Sequence, residues 1–407
     1  MKFSFFMMPV HHPSENPHLA FQRDISFIHL ADELGYDEFF IGEHHSGGWE
    51  TMPVPEMALS MAAAKAHRIQ LGTSVINLPF HHPFHVAERI AFLDHLTGGR
   101  AMLGIGPSNL VTDKQLFKLP QDRLYPMMAE SVDIIVRLLE SPEPFDYDGE
   151  FWKFENMRLQ LRSHQQPRLP LAIASSTGSD EVLELAGRYG MHLWSTVGKN
   201  RPTNHAENWG RLEAAAARHG KTPSRDDWRL ATCMYIAETR EKALENVAYG
   251  IERWVDYFTS VVALQFTPET RDPRAFAREL VDSGFAVIGT PDDCCELIHR
   301  LQEQSGGFGA FLVMANDWAD REQTMKSYEL MAKYVFPEFQ GSAERAVRSN
   351  QWCQENYTEF LGTAGDAVLS AIEDHRKEQE ALGRSIQSEA VEASMPWAKS
   401  NLEKDGD

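Results

Sequence analysis

The sequence predicts an α/β fold: a (β/α)8 TIM barrel with insertions and a helical C-terminal extension. Short apolar runs bounded by glycine alternate with helical patterns about eight times along the first ~300 residues. Apolar runs joined through helices favour a parallel sheet, because parallel strands need long crossover connections. The length of 407 residues suits one barrel with additions.

The predicted elements alternate along the chain. The helix after the first strand has apolar residues at helical spacing and stops at Gly35, a residue suited to the C-terminal cap. Strands are expected over 3–8, 37–41, 69–77, 100–105, 171–174, 191–195, 228–237 and 310–314. Helices are expected over 19–34, 55–67, 85–96, 127–139 and 241–258. A further helix is expected to end at residue 189, and another to begin at residue 292.

The predicted barrel domain covers residues 1–336, with insertions at about 106–168 and 238–290. Within the first insertion, residues 106–126 are expected to form a loop or lid, and a hairpin is expected around Phe151 and Trp152. Residues 337–407 are heavily charged with a helical pattern. They are predicted to form a helical C-terminal extension, which could pack on the barrel, support a dimer or be partly disordered.

Composition argues against several classes of partner. The net charge of -20 and the pI near 5.3 give the chain no electrostatic reason to bind nucleic acid or an anionic membrane. No run approaches the ~20 apolar residues of a membrane helix, and the N-terminus lacks the pattern of a signal sequence. The four cysteines form no CxxC pair, which favours reduced thiols in a cytoplasmic protein.

The stretch 37–49 carries the strongest functional signal. A short apolar strand ends at Ile41, and the following loop places Glu43, His44 and His45 among glycines. In a parallel α/β protein, loops at the carboxyl ends of strands hold the reactive groups. The alternative is a surface loop whose histidines face solvent, with a carboxylate that only caps the backbone.

A series of motifs extends this signal. It comprises Gly42-Glu43-His44-His45, the strand sequence LGTSVINLP over 71–79, His82-Pro83, Ala87-Glu88, Leu93-Asp94, Gly98-Gly99-Arg100 and the sequence LGIG over 103–106. Their order and spacing resemble the bacterial luciferase-like family of flavin-dependent monooxygenases. The resemblance runs from residue 1 to about 336 and is strongest over 36–106. The sequence EHHSGGWE over 43–50, Gly106-Pro107 and Asp113 resemble the limonene-monooxygenase branch.

The resemblance implies a two-component enzyme. Such an enzyme takes reduced FMN from a separate NAD(P)H:flavin reductase and adds O2 at the flavin C4a position. The resulting (hydro)peroxide oxygenates a small, largely apolar organic substrate; a homodimer is compatible with the family. The glycine-rich turn over 104–109 lacks the third glycine of a dinucleotide fingerprint, which agrees with an external supply of electrons.

The resemblance also assigns roles to individual residues. His44 matches the catalytic histidine, a residue suited to general base chemistry or to hydrogen bonding near the flavin. Ser74 and Val75 match the position of a non-proline cis peptide beneath the flavin, and Asn77 is expected at the isoalloxazine edge.

Three hydroxyl residues follow the fifth predicted strand and precede a helix: Ser175, Ser176 and Thr177. The N-terminus of a helix is a ready anion site, and the family places the FMN phosphate here. The alternative is ordinary helix capping by Ser179, with Asp180 and Glu181 complementing the helix dipole.

The sequence departs from luciferases at one point. Luciferases carry a reactive cysteine and a phosphate-binding arginine after the fourth strand, where this chain has Gly106 and Pro107. Arg123 is a candidate replacement for the anion contact, and no metal site is predicted. Five residues near strand ends are expected to line the substrate pocket, although each could equally be core: Met8, His45, Trp49, Phe80 and Trp194.

Three alternatives remain open from the sequence. A deazaflavin (F420) dehydrogenase on the same barrel would transfer hydride without using O2. A metal-dependent barrel hydrolase would use the histidines near strand ends, but no His-x-His lies on the first strand. A non-catalytic flavin-binding protein would share the fold and the cofactor site.

Overall fold

A closed barrel of parallel strands forms the first of two compact units. The computed structural model describes residues 1–176, 178–197, 204–262, 270 and 272–384. The first unit ends at Gln340 and the second begins at Gly341. Eight parallel strand positions close on one another in the first unit, so the predicted TIM-barrel fold is confirmed.

The barrel closes because its last strands pair back to its first. The described strands, in chain order, are β1 (Lys2–Met7), β2 (Glu38–Ile41), β3 (Gln70–Thr73), β4 (Ile76–Asn77), β5 (Ala101–Gly106), β6 (Phe145–Asp148), β7 (Lys153–Met157), β8 (Leu171–Ser175), β9 (His192–Thr196), β10 (Trp228–Ile236), β11 (Ala286–Gly289) and β12 (Ala310–Ala315). The barrel order is β1, β2, β3, β5, β8, β9, β10 and β12, and β12 pairs in parallel with β1. β4 continues the third position, β11 extends the sheet beside β10, and β6 and β7 form the predicted hairpin.

Helices connect the strands. They are α1 (Pro17–Leu34), α2 (Pro55–Ala63), α3 (Pro83–Leu96), α4 (Val111–Leu116), α5 (Gln121–Glu140), α6 (Asp180–Tyr189), α7 (His205–Arg218), α8 (Arg240–Val247), α9 (Ile251–Ser260), α10 (Pro273–Asp282), α11 (Pro291–Ser305), α12 (Arg321–Leu330), α13 (Phe336–Gln340), α14 (Glu344–Glu355) and α15 (Tyr357–Ala381). Gly35 caps α1 in the left-handed conformation, as predicted. None of the described helices is long and apolar enough to cross a membrane.

Several predicted boundaries are wrong. The supposed loop over 106–126 contains α4 and the first turns of α5, which passes through Pro126. The buried side chains of Leu124 and Met128 flank that proline, and their packing offsets the lost backbone hydrogen bond. The third predicted strand is divided into β3 and β4, and α2 ends before residue 67.

The second insertion also differs from its prediction. The single helix expected over 241–258 is divided into α8 and α9 at Gly250. A Cβ atom on Gly250 would lie 1.9 Å from the carbonyl oxygen of Asp317, so only glycine allows this approach of the two backbones. The insertion also contains β11, a four-residue strand that the sequence did not distinguish from a loop.

Aromatic side chains fill the barrel interior. Phe40 and Trp194 lie with their ring centroids 4.7 Å apart, in a cluster with Met102 and Leu312. A Cβ atom on Gly104 would lie 2.2 Å from the Trp194 ring, so the glycine makes room for the indole. The interior is therefore a packed apolar core beneath the carboxyl ends of the strands.

A buried ion pair lies at the opposite, amino-terminal end of the strands. Arg229 on β10 donates from Nη2 and Nε to the Glu38 carboxylate on β2, at 2.5 and 3.0 Å. Ser4 and Lys2 donate to the same carboxylate at 2.8 and 3.3 Å. Burial alone would raise the pKa of Glu38, but the charge of Arg229 outweighs it and lowers the pKa to about 2. The interaction fixes two strands that are not neighbours in the sheet.

The second unit is helical in its described part. It contains α14 and α15, and the rings of Trp352 and Phe360 lie 4.8 Å apart between them. Within the described residues of these two helices, Gly365 alone is fully buried.

Replacing Arg229 with methionine tests the buried ion pair. The change leaves the buried Glu38 carboxylate with the half-exposed Lys2 as its remaining cation among the described residues, and we expect the free energy of unfolding to fall by about 3–5 kcal/mol. Urea denaturation measures it. The control is Arg240→Met, which removes the exposed arginine of the Arg240–Asp293 pair and is expected to leave the free energy of unfolding nearly unchanged. Equal losses in the two variants would contradict the assignment.

Candidate active site

His44 lies between two buried carboxylates at the carboxyl end of β2. Its Nδ1 atom lies 2.8 Å from Asp113 Oδ2, and its Nε2 atom lies 3.5 Å from Glu50 Oε1. Asp113 and Glu50 are both buried, whereas His44 remains partly exposed. An ionised Asp113 accepts a hydrogen bond from the Nδ1–H group of His44. Nε2 is then the ring nitrogen that can gain or lose a proton.

Asp113 is held by several donors at once. It lies in α4, and its Oδ1 atom accepts from the backbone N–H of His45 at 3.2 Å and from the hydroxyl of Ser46. Burial alone would raise the pKa of Asp113, but its hydrogen bonds to His44 and Ser46 keep the pKa below its ordinary value. Asp113 therefore stays ionised and fixes both the His44 ring and the loop that carries it.

Glu50 has a different environment from Asp113. Its Oε1 atom accepts a hydrogen bond from the hydroxyl group of Tyr257 on α9. Its Oε2 atom has no hydrogen-bond partner within the described residues. Burial raises the pKa of Glu50, and the charge of His44 only partly offsets this effect. This carboxyl group is closer to neutrality than Asp113.

The neighbouring charges determine the proton affinity of His44. Burial alone would lower the pKa of His44, but the charge of Glu50 and the hydrogen bond to Asp113 raise it above its ordinary value. A histidine with a raised pKa carries a proton through a larger part of the neutral range. His44 can therefore supply or accept a proton at Nε2.

A third buried carboxylate, that of Glu43, anchors the same loop. Glu43 accepts from His45 Nε2 at 2.9 Å and from His81 Nε2 at 2.9 and 3.0 Å. Asn77 donates to the backbone oxygen of Glu43 at 3.0 Å. Burial would raise the pKa of Glu43, but the hydrogen bonds from His45 and His81 keep it below its ordinary value.

The donor atoms of Glu43, His45 and His81 lie within 4.8 Å of one another. Hydrogen bonds to one carboxylate account for this convergence. The Nδ1 atoms of the two histidines lack, among the described residues, the hydrogen-bonded partner that usually orients a metal-bound imidazole. The three side chains form a hydrogen-bonded anchor for the loop.

The residues predicted to contact the flavin ring lie directly after β3 and in β4. The peptide bond between Ser74 and Val75 is cis, as predicted. Val75 packs against the aromatic cluster of the barrel interior, and Gly106 faces it, since a Cβ atom there would lie 2.7 Å from Val75 Cγ2. The side-chain amide of Asn77 is directed to the backbone of Glu43.

Hydroxyl groups surround the N-terminus of α6. Ser175 is buried and accepts from the Gly178 N–H at 3.2 Å, and Ser176 is exposed. Thr177 lies outside the described residues. Ser179 occupies the N-cap position but makes no capping hydrogen bond, and its Oγ atom has no partner in the described chain. The alternative of plain capping by Ser179 is therefore not realised.

Two acidic residues, Asp180 and Glu181, lie in the first turn of α6. Asp180 pairs with Arg211, which neutralises it. Arg123 does not take part here: its guanidinium lies 4.7 Å from the Phe151 ring centroid and 3.3 Å from Glu150, at the β6–β7 hairpin.

The five predicted pocket residues fall into three groups. Met8 and Trp49 line a cavity of about 170 Å³ beside the barrel. His45 and Phe80 pack with Phe117, whose ring stacks on Phe80 at 4.5 Å. Trp194 lies in the barrel interior, and its Nε1 atom has no hydrogen-bond partner among the described residues.

Sequence reasoning missed four members of the site. Glu50 belongs to the motif over 43–50, and Asp113 was noted only as a branch feature. His81 was considered only as a histidine near a strand end. Tyr257 carried no signal, because an aromatic residue on an amphipathic helix is ordinarily core. Their roles depend on long-range contacts that spacing along the sequence does not encode.

Comparison with known proteins agrees with this geometry. A family profile described as "Luciferase-like monooxygenase" matches residues 1–307. The chain is 38% identical to 4-hydroxyprotoasukamycin monooxygenase of Streptomyces nodosus subsp. asukaensis, over 87% of this chain and 96% of that protein. It is 35% identical to limonene 1,2-monooxygenase of Rhodococcus erythropolis, over 93% of this chain and 96% of that protein.

A solved structure shares the fold. It is the oxygenating constituent of 3,6-diketocamphane monooxygenase from Pseudomonas putida, a type II Baeyer-Villiger monooxygenase in complex with FMN. The TM-score is 0.70 at 24% identity, and the match covers 83% of this chain and 98% of that chain. At this identity the likeness concerns the fold.

Asp113→Asn tests the hydrogen bond to His44 through its pH dependence. His44 has a raised pKa in the folded state, so its stabilising contribution is complete below about pH 6.5 and is lost as the pH rises through the folded pKa. We expect Asp113→Asn to lower the free energy of unfolding by about 1–3 kcal/mol near pH 5.5, and by less near pH 9. Urea denaturation at both pH values measures it.

The matched control for this prediction is Asp122→Asn, an exposed aspartate in the first turn of α5. It is expected to change stability by less than about 0.5 kcal/mol at either pH. A loss in Asp113→Asn that grows with rising pH would rule out the assigned charge state.

Proposed function

The chain belongs to the luciferase-like monooxygenase family, and on that premise we propose that it is an FMN-dependent, two-component monooxygenase. It uses O2 and reduced FMN delivered by a separate NAD(P)H:flavin reductase to oxygenate a small, largely apolar organic substrate. The observation that carries the proposal is His44, which lies at the carboxyl end of β2 and is held by a buried Asp113.

The residues present fit an FMN molecule. Buried polar atoms without partners in the described chain lie at Ser108 Oγ, Ser179 Oγ and Trp194 Nε1, and a polar ligand would satisfy such groups. Ser176 and Ser179, at the N-terminus of α6, would hold the phosphate. Ser74, Val75 and Asn77 would support the ring system. When bound, reduced flavin supplies the electrons that activate O2.

His44 is the proton-transferring residue of the proposed site. Asp113 holds the Nδ1–H, so the ring orientation and tautomer are fixed, and Nε2 holds or accepts the proton. The apolar interior formed by Phe40, Met102 and Trp194 closes the barrel beneath the site and excludes water from that side.

The relatives favour this function over its rivals. Two monooxygenases are matched along nearly their whole length at 38% and 35% identity, and oxygenation requires a cofactor that reacts with O2. An F420 dehydrogenase transfers hydride without O2, so that function would not account for the similarity to two monooxygenases.

Replacing His44 with alanine tests its role. We expect substrate oxygenation to slow by about 10²–10⁴-fold, because the proton-transferring group is lost. The measurement is incorporation of isotopically labelled O2 into a panel of small cyclic alkenes and ketones, with reduced FMN supplied by a flavin reductase. The control is His18→Ala, an exposed histidine on α1 that should leave turnover unchanged.

Two outcomes would count against the proposal. Unchanged oxygenation in His44→Ala would remove this histidine from the mechanism. For the wild-type protein, stopped-flow mixing with oxygenated buffer compares bound and free reduced FMN. Reoxidation as fast as that of the free flavin, together with tight binding of F420, would favour the dehydrogenase instead.

Replacing Ser179 with alanine tests the phosphate contact. The hydroxyl makes no capping bond, so its loss should spare the helix but remove a donor to the phosphate. We expect FMN affinity to fall by roughly 10-fold or more, since a hydrogen bond to a charged group contributes about 1.5–3 kcal/mol. Fluorescence titration should show riboflavin affinity unchanged, because riboflavin lacks the phosphate.

The control for Ser179→Ala is Ser370→Ala, an exposed serine of α15. It should leave the affinity for both flavins unchanged. Equal losses of FMN and riboflavin affinity in Ser179→Ala would place the contact on the ring system or indicate a general distortion.

A further inference from the structure

Glu50 is a buried carboxyl group whose one cationic partner among the described residues is His44. Its side chain is 2% exposed, and its Oε1 atom lies 3.5 Å from His44 Nε2. Its Oε2 atom is buried without a hydrogen-bond partner in the described chain. A carboxylate in such a place is costly unless it is paired, so its charge depends on the proton of His44.

Tyr257 is the other contact of this carboxyl group. It lies on α9, in the second insertion, and is buried. Its hydroxyl donates to Glu50 Oε1 across a separation of 207 residues. Burial and the charge of Glu50 raise the pKa of Tyr257 far above its ordinary value, so the hydroxyl remains a donor throughout the working range.

We propose that His44 and Glu50 share one exchangeable proton, and that the Tyr257 hydroxyl sets on which of the two it resides. In one form the proton is on His44 Nε2, and Glu50 is a carboxylate that accepts from Tyr257. In the other, Nε2 has given the proton to Glu50, which is then a neutral acid beside a neutral imidazole. The proposal deepens the proposed function, because it rests on His44 as the proton-transferring group.

Charge balance explains why one hydrogen bond can decide the outcome. Asp113 is ionised in both forms, so the three side chains carry the same net charge wherever the shared proton lies. The form with a charged His44 and a charged Glu50 buries two more ionised groups, but their mutual attraction offsets that cost, so local hydrogen bonds can determine the difference. A hydroxyl that donates to Glu50 favours the carboxylate, and so the protonated His44.

The other titratable groups facing this pair come from three segments. Glu43 and His45 lie in the same loop, and Glu43 is already paired with His45 and His81. Asp113 comes from α4. His11, in the loop after β1, acts on Glu50 through its charge, and it is hydrogen-bonded to Asp24 at 2.8 Å. Each of these groups has its own partner, which leaves Tyr257 as the contact that acts on Glu50 alone.

Titration of the His44 ring tests the proposal. Nitrogen NMR of protein with isotopically labelled histidine gives the midpoint, with His44 assigned from its missing signal in His44→Gln. We expect Glu50→Gln to lower the His44 midpoint by about one unit or more, since a nearby opposite charge typically shifts a pKa by 1–3. Tyr257→Phe should lower it by less, because the carboxyl group remains but holds its proton more readily.

The double variant Glu50→Gln/Tyr257→Phe separates coupling from general distortion. Tyr257 is proposed to act through the carboxyl group of Glu50. Tyr257→Phe should therefore cause no further change in the His44 midpoint when residue 50 is glutamine. Matched controls are Glu252→Gln and Tyr249→Phe, which make the same changes at exposed positions. Both should leave the His44 midpoint unchanged.

The proposal is overturned if Glu50→Gln leaves the midpoint unchanged, or if Tyr257→Phe shifts it equally in the wild-type and Glu50→Gln backgrounds. Should Glu50→Gln fail to fold, Tyr257→Phe alone decides, and an unchanged midpoint overturns the proposal. The titration needs neither flavin nor substrate. Its failure is therefore distinguishable from a failure of the oxygenation test.

Discussion

The parallel closure of the barrel is the constraint on which the rest of the structure depends. Because every barrel strand runs in the same direction, the loops at the carboxyl ends share one face of the molecule. That face brings Asp113 to His44 across 69 residues of sequence, and Tyr257 to Glu50 across 207. No local feature of the chain could create these contacts. The contact between Tyr257 and Glu50 also needs the pairing of β1 with β12, which joins β10 to β2 through a continuous sheet.

Once the strand ends are fixed, buried carboxylates organise the loop after β2. Glu43, Glu50 and Asp113 are all removed from water, and each needs donors to offset the cost of burial. Asp113 finds them in His44, Ser46 and a backbone amide, and Glu43 finds them in two histidines. A different loop conformation would strip at least one acid of its partners. The loop is thus held by electrostatics although it contains several glycines.

The sequence was sufficient where local pattern determines structure. Apolar runs and glycine stops located the eight barrel strands and the end of α1 at Gly35, and the motif over 43–50 identified the loop that carries His44. It failed where tertiary contacts override pattern. Gly250 divides a helical stretch only because the backbone of Asp317 approaches it, and Pro126 is tolerated because its helix face is buried. Tyr257 could not be recognised from a periodicity that it shares with ordinary core residues.

The two ends of the barrel use the same buried residue type in opposite ways. Glu38 accepts from Lys2, Ser4 and two nitrogens of the Arg229 guanidinium, so the charge of its carboxylate is compensated and its pKa falls to about 2. Within the described chain, Glu50 has one tyrosine hydroxyl, one histidine and an oxygen without a hydrogen-bond partner, and its pKa is raised. A permanent cation fixes the first carboxylate in one state. A titratable imidazole cannot fix a carboxylate in this way. The incomplete pairing of Glu50 therefore allows a proton to move between Glu50 and His44, the residue proposed to transfer it.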